Sequence, residues 1–115
     1  MAYNLFVYGT LQNPDKVKAL TGKTFQRKSA LLRGYRKYIV LCADGEGGYP
    51  AILKDDEHVV PGYILFDVDR ESMKKFDTYE GPEYYLSKVS VECGETVFKA
   101  YTYVWCAARD CLREC

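Results

Sequence analysis

One histidine and one tryptophan occur in 115 residues, so chemistry that needs several imidazoles is excluded at the outset. The five cysteines, Cys42, Cys93, Cys106, Cys111 and Cys115, form no C-x-x-C pair. With His58 remote from the last three, their spacing fits no common zinc pattern, and no metal is expected. No serine sits in a nucleophile elbow. The glycine-rich stretch Ala43 to Gly48 lacks the spacing of a dinucleotide fingerprint or a phosphate-binding P-loop; it reads as the mobile edge of a pocket. Sixteen basic residues balance sixteen acidic ones without a long block of one sign, which argues against nucleic acid or an anionic membrane as partner. No stretch is long and apolar enough to span a bilayer or serve as a signal sequence, so a soluble cytoplasmic protein with reduced thiols is expected.

What is present suits one domain, residues 1–115, with one core: 48% of the residues are hydrophobic, and eleven are tyrosine. Rings with an apolar body and a polar tip line pockets as readily as they fill cores. Leu5-Phe6-Val7-Tyr8 reads as a buried strand that runs into a Gly9-Thr10-Leu11 turn. Gly9 is expected to take a positive φ and so aim neighbouring N–H groups at an anion, unless the strand simply ends there. Asn13-Pro14-Asp15 opens a helix that Gly22 stops. Phe25 to Leu41 is strand-like and interrupted at Gly34, and its cations, Arg27, Lys28, Arg33, Arg36 and Lys37, read as a solvated face. Extended structure restarts at Tyr49 to Leu53, after which Lys54 to His58 form a charged turn. A buried strand runs from Tyr63, with a bulge or bend at Pro61-Gly62. Asp69 caps a second helix, which Gly81-Pro82 ends. Lys88 to Cys93 and Val97 to Trp105 form a hairpin across Gly94-Glu95, its second strand covered on both faces. Ala107 to Cys115 reads as a short helix or a frayed tail.

Chemistry points to the second helix. Met73, Phe76 and Glu80 share one face, which should be the buried one. Asp77 and Glu71 fall on more exposed faces. Apolar surroundings and the negative end of the helix dipole would both raise the pKa of Glu80, a tuning that serves a general base. Alternatively the helix end turns Glu80 outward into solvent. Cys42, beside a strand end, reads as a structural thiol, since no second histidine is present to activate it.

Tyr8-Gly9-Thr10-Leu11 together with Asp77-Thr78-Tyr79-Glu80-Gly81 resembles the gamma-glutamylcyclotransferase-like superfamily, in which a Tyr-Gly-Ser/Thr-Leu loop and an Asp-x-x-Glu-Gly motif build one pocket. Leu32-x-Gly34-Tyr35, Tyr49-Pro50-Ala51, Val60-x-Gly62 and Tyr103 resemble its intermediate marks. One departure stands out: Tyr85 is followed by Leu86 and Ser87, with Lys88 only nearby, where the family carries an arginine two positions after the tyrosine. The resemblance implies an α+β fold, a small mixed β-barrel with flanking short helices. It implies release of 5-oxoproline and a free amine from a gamma-glutamylamine or related amide, without a cofactor. Glu80 matches the catalytic glutamate, and Tyr8, Gly9, Thr10, Leu11, Tyr49, Pro50, Tyr85 and Tyr103 are the expected substrate-binding residues. A non-catalytic module that binds a small molecule in the same pocket is the alternative, and hydrolysis by water is a third reading.

Overall fold

Two faces of one short strand explain the architecture. In the computed structural model, which describes residues 2–41, 47–107 and 112–114, Phe6 and Tyr8 pack in one core with Leu32, Ile64, Val91 and Val104. Leu5 and Val7 pack in a second core with Val17, Val68, Met73 and Phe76. Alternate side chains in the second half of β1 (Ala2–Val7) therefore enter different cores, and Leu5-Phe6-Val7 reads as an unbroken apolar run because neither face of that half meets water.

Chain order continues with a 3-10 turn (Thr10–Gln12), α1 (Pro14–Thr21), β2 (Arg27–Leu41), β3 (Gly47–Asp69), α2 (Arg70–Glu80), β4 (Tyr84–Cys93), β5 (Thr96–Trp105) and β6 (Leu112–Glu114). The strands lie in the order β3-β1-β5-β4-β2-β6, and β2 also pairs with β3. Five strands thus close on themselves into a barrel, with β6 outside on β2. β1 and β5 run parallel while the other pairs are antiparallel, which is the expected mixed α+β barrel with short helices. Closure at the β2–β4 seam rests on a single register pair, Leu31 with Glu92. Beside it the Arg33 guanidinium donates to Glu92 at 2.6 Å.

Several elements follow their local chemistry. Asn13 caps α1 by accepting from the Asp15 amide at 2.9 Å, and Gly22 ends the helix at φ 74°. The β4–β5 hairpin turns on Gly94-Glu95, with Cys93 opposite Thr96. β5 is buried almost throughout its second half, because it lies between β1 and β4 and contributes to both cores.

Other expectations change. The Pro61-Gly62 step holds regular register against Leu31 and Ala30, so it is no bulge. Gly62 is there for close approach: a Cβ would stand 2.3 Å from the Val7 carbonyl oxygen and 2.8 Å from the Phe6 ring. The irregularity falls instead at Gly34 (φ 86°), where one residue of β2 opposes Asp55 to His58 of β3. The charged turn is therefore a wide bulge within β3. Asp55 accepts there from the Glu57 amide and pairs with His58 at 3.1 Å, and the His58 contact is the main cause that holds its carboxyl below the usual range. Arg27 is no solvated cation: it donates to the Gln12 carbonyl and stacks 4.3 Å from the Tyr63 ring centroid. The tail is neither helix nor frayed at Leu112–Glu114, which pairs with Tyr38 to Val40 as β6. Gly47 and Gly48 already belong to β3. Ala43 to Glu46, Cys42, Cys111 and Cys115 lie outside the described residues. Among the described residues no helix is long and apolar enough to cross a membrane.

Gly62→Ala should destabilise the barrel by roughly 1–3 kcal/mol, since the added methyl meets a backbone oxygen that cannot move alone. Urea denaturation checks this, and an unchanged midpoint would show that β1 and β3 separate freely.

Candidate active site

α2 is anchored at its start. Asp69 accepts from the Ser72 amide at 3.1 Å and from the Ser72 hydroxyl at 2.7 Å, with Lys23 at 3.2 Å. These contacts, the Ser72 hydroxyl foremost, hold its carboxyl near pKa 2. Met73 and Phe76 then bury fully against β1 and β3, and one turn on, the same face carries Glu80. Gly81, at φ 84°, donates to the Asp77 carbonyl at 3.0 Å and ends the helix there.

β1 delivers the facing wall. Its first bond beyond the strand runs from the Gln12 amide to the Gly9 carbonyl at 3.0 Å, so the 3-10 turn itself leaves the Thr10 and Leu11 amides without an acceptor. Gly9 does not take the positive φ expected of it; its φ is −123°. Glycine is needed for proximity, because a Cβ would stand 2.3 Å from the Pro50 ring.

Between these walls lies a cavity of about 410 Å³. Tyr8 to Leu11, Tyr49, Pro50, Tyr79, Glu80, Glu83, Tyr84, Tyr103 and Trp105 line it, with Phe6 and Val7 behind. Eight of the nine expected site residues therefore converge from both ends of the chain. The exception is Tyr85, which is 49% exposed and absent from the lining. Strand alternation puts Tyr84 in its place, opposite Trp105, with the two rings edge to face at 5.3 Å. The doubled Tyr84-Tyr85 left that choice open in the sequence, and only the pairing register decides it.

The tyrosines hold the walls. Tyr8 donates to the Tyr103 carbonyl at 2.6 Å, Tyr84 to the Pro50 carbonyl at 2.9 Å, and Tyr103 to the Asp77 carboxylate at 2.5 Å. Thr10 and Tyr79 share a hydroxyl contact of 2.7 Å. Burial is the first cause that raises the Tyr8, Tyr84 and Tyr103 phenols above their ordinary value, and the Glu80 charge adds to it in each. All three stay protonated and act as donors. Asp77 is exposed, as expected, yet it accepts the Tyr103 hydroxyl, a role that helical spacing gave no sign of. Glu80 differs from all of them: burial pushes its pKa up to about 7. Among the described residues no group of three or more His, Cys, Asp or Glu is placed to hold a metal ion.

A half-buried carboxyl with its pKa raised to about 7 thus shares a tyrosine-walled cavity with Thr10 and Leu11, an arrangement chemically suited to proton transfer on a small polar molecule. Residues 5–114 match the family described as "Gamma-glutamyl cyclotransferase, AIG2-like", and the chain belongs to that family. AIG2-like protein C of Arabidopsis thaliana is 36% identical over 107 residues, 90% of this chain and 59% of that relative. The chain thus spans about three-fifths of that relative's length. The solution structure of an Arabidopsis thaliana protein superposes with a TM-score of 0.82 at 28% identity, covering 97% of this chain and 75% of the other. A structure of a gamma-glutamyl cyclotransferase has a TM-score of 0.79 at 14% identity over 92% of this chain and 68% of its own, a likeness of fold.

Tyr103→Phe removes the donor to Asp77 and should lower stability by about 1.5–3 kcal/mol, the range for a hydrogen bond to a charged group. Thermal unfolding measures it, and an unchanged midpoint would mean the contact contributes nothing to the fold.

Proposed function

We propose that the protein is a cyclotransferase that releases 5-oxoproline from a gamma-glutamylamine or related gamma-glutamyl amide, with Glu80 as the general base. The observation that carries this reading is the desolvated Glu80 carboxyl, with its pKa raised to about 7, in the same cavity as Thr10 and Leu11. A base of that strength is matched to an α-ammonium, whose pKa in a free chain end is about 8.

Glu80 takes a proton from the substrate's α-ammonium, and the freed nitrogen attacks the γ-carbonyl carbon to close a five-membered ring. The carbonyl electrons move onto oxygen, and they return as the bond to the departing nitrogen breaks. Both protons lost by the attacking nitrogen end on the departing amine, which leaves as an ammonium ion, and Glu80 is restored. Backbone amides of the Thr10–Gln12 turn suit the γ-glutamyl carboxylate or the developing oxyanion. Lys16, 4.8 Å from the Tyr79 ring centroid, adds positive potential on that side. Nucleophile and electrophile belong to one molecule, so the pocket's work is mainly to fold it into reach. Tyr8, Gly9, Thr10, Leu11, Tyr49, Pro50 and Tyr103 hold the substrate in this account, with Tyr84 standing in for Tyr85.

Incubation with a panel of gamma-glutamyl amides, followed by mass spectrometry for 5-oxoproline, tests the reading. Glu80→Gln should cut turnover at least about 10²-fold, the usual scale for general-base catalysis, and a substrate acetylated on its α-amino group should be inert. Wild-type turnover in Glu80→Gln, or cleavage of the acetylated substrate, would contradict cyclisation and move the weight to hydrolysis or to binding alone.

A further inference from the structure

Three elements meet at Tyr79, the residue before Glu80 on α2. Its hydroxyl lies 2.7 Å from that of Thr10, in the turn after β1. The Lys16 ammonium of α1 stands 4.8 Å from its ring centroid, and Leu20, also of α1, lines with it a groove between the two helices. The ring is 37% exposed, so apolar burial gives only a weak hold on it and the polar contacts set its position.

The hydroxyl contact joins two walls of the cavity, since Thr10 and Tyr79 both line it. A second tie leaves the same helical turn, where Asp77 accepts the Tyr103 hydroxyl at 2.5 Å. Residues 77 and 79 are about 200° apart around an α-helix, so the two ties pull on opposite sides of α2, and residue 80 falls on the arc between them. With the Tyr103 tie alone the last turn of α2 is free to pivot about it. The Thr10 tie removes that freedom.

We infer that Tyr79 is a positioning residue: its hydroxyl, bonded to Thr10, fixes the separation between the Glu80 carboxyl and the Thr10–Gln12 turn. The use of that separation rests on the cyclotransferase reading, in which the turn holds the γ-glutamyl carboxylate while Glu80 takes the α-ammonium proton. Carboxylate and ammonium share one carbon atom in the substrate, so their spacing is set by covalent bonds and the two protein groups must match it. In the sequence Tyr79 is only a variable place between Asp77 and Glu80; the contact with a turn nearly seventy positions earlier gives it a role.

Amide exchange followed by NMR reads the turn without any substrate, through the Gln12 and Asn13 amides, which donate to the Gly9 and Thr10 carbonyls at 3.0 and 3.1 Å. In Tyr79→Phe, which keeps the ring over Lys16, both should exchange roughly 3- to 10-fold faster, the scale of one neutral hydrogen bond, while amides of the β4–β5 pairing keep their rates. The double variant Thr10→Val, Tyr79→Phe should exchange no faster than the quicker single variant, because either change breaks the same contact. With a gamma-glutamyl amide as substrate, Tyr79→Phe should raise KM by a similar factor and leave kcat nearly unchanged, whereas simple loss of folded protein lowers kcat at constant KM. Unchanged exchange in Tyr79→Phe, additive effects in the double variant, or a fall in kcat at constant KM would overturn the assignment. Failure of the wild type to release 5-oxoproline refutes cyclisation instead, and the exchange rates then decide alone whether Tyr79 holds the turn.

Discussion

The contact between the apolar face of α2 and the outer face of β1 is the constraint on which the site depends. Met73 and Phe76 pack with Leu5 and Val7, and burying a side chain the size of Phe76 contributes about 1.5–3 kcal/mol. That packing sets the rotation of the helix. Once it is set, the residue one turn beyond Phe76 faces the same wall and is drawn out of water. Glu80 is desolvated because the core beneath it needs this helix in this orientation.

The cost of that placement shows as a pH dependence. Glu80 titrates near 7 in the folded protein against 4.5 ordinarily, so the folded state binds its proton more tightly. Its contribution to stability is fully present below about pH 4.5 and is lost as pH rises through 7. The fold carries this cost near neutral pH, and the proposed role of Glu80 as a base that accepts and returns a proton would use it. The tyrosines make it tolerable, because their raised phenols stay neutral beside the carboxylate and spend their hydrogen bonds on the walls. Asp77 belongs to this arrangement: by accepting the Tyr103 hydroxyl it ties α2 to β5 three residues before Glu80.

Local chemistry was legible in the sequence wherever one residue type has one use. Asn13-Pro14 and Asp69 announced their helices, Gly94-Glu95 its hairpin, and the spacing of Met73, Phe76 and Glu80 the buried face. What could not be read were effects that arise between segments far apart in the chain. Gly9 and Gly62 looked like residues chosen for backbone freedom, yet both are small because something else comes close: the Pro50 ring in one case, the Val7 carbonyl in the other. Tyr84 and Tyr85 differ only by strand register, which β5 decides. The pairing of Leu112–Glu114 on β2 depends on a neighbour more than seventy positions earlier.

A direct measurement of the Glu80 titration tests the central claim, that the fold itself tunes this carboxyl for proton transfer. With glutamate labelled with 13C at the side-chain carboxyl and Glu80 assigned by comparison with Glu80→Gln, the carboxyl resonance followed by NMR from pH 3 to 9 should show a midpoint of about 7. A midpoint near 4.5, the ordinary value for a solvated glutamate, would show that Glu80 faces water and would contradict the account of the site.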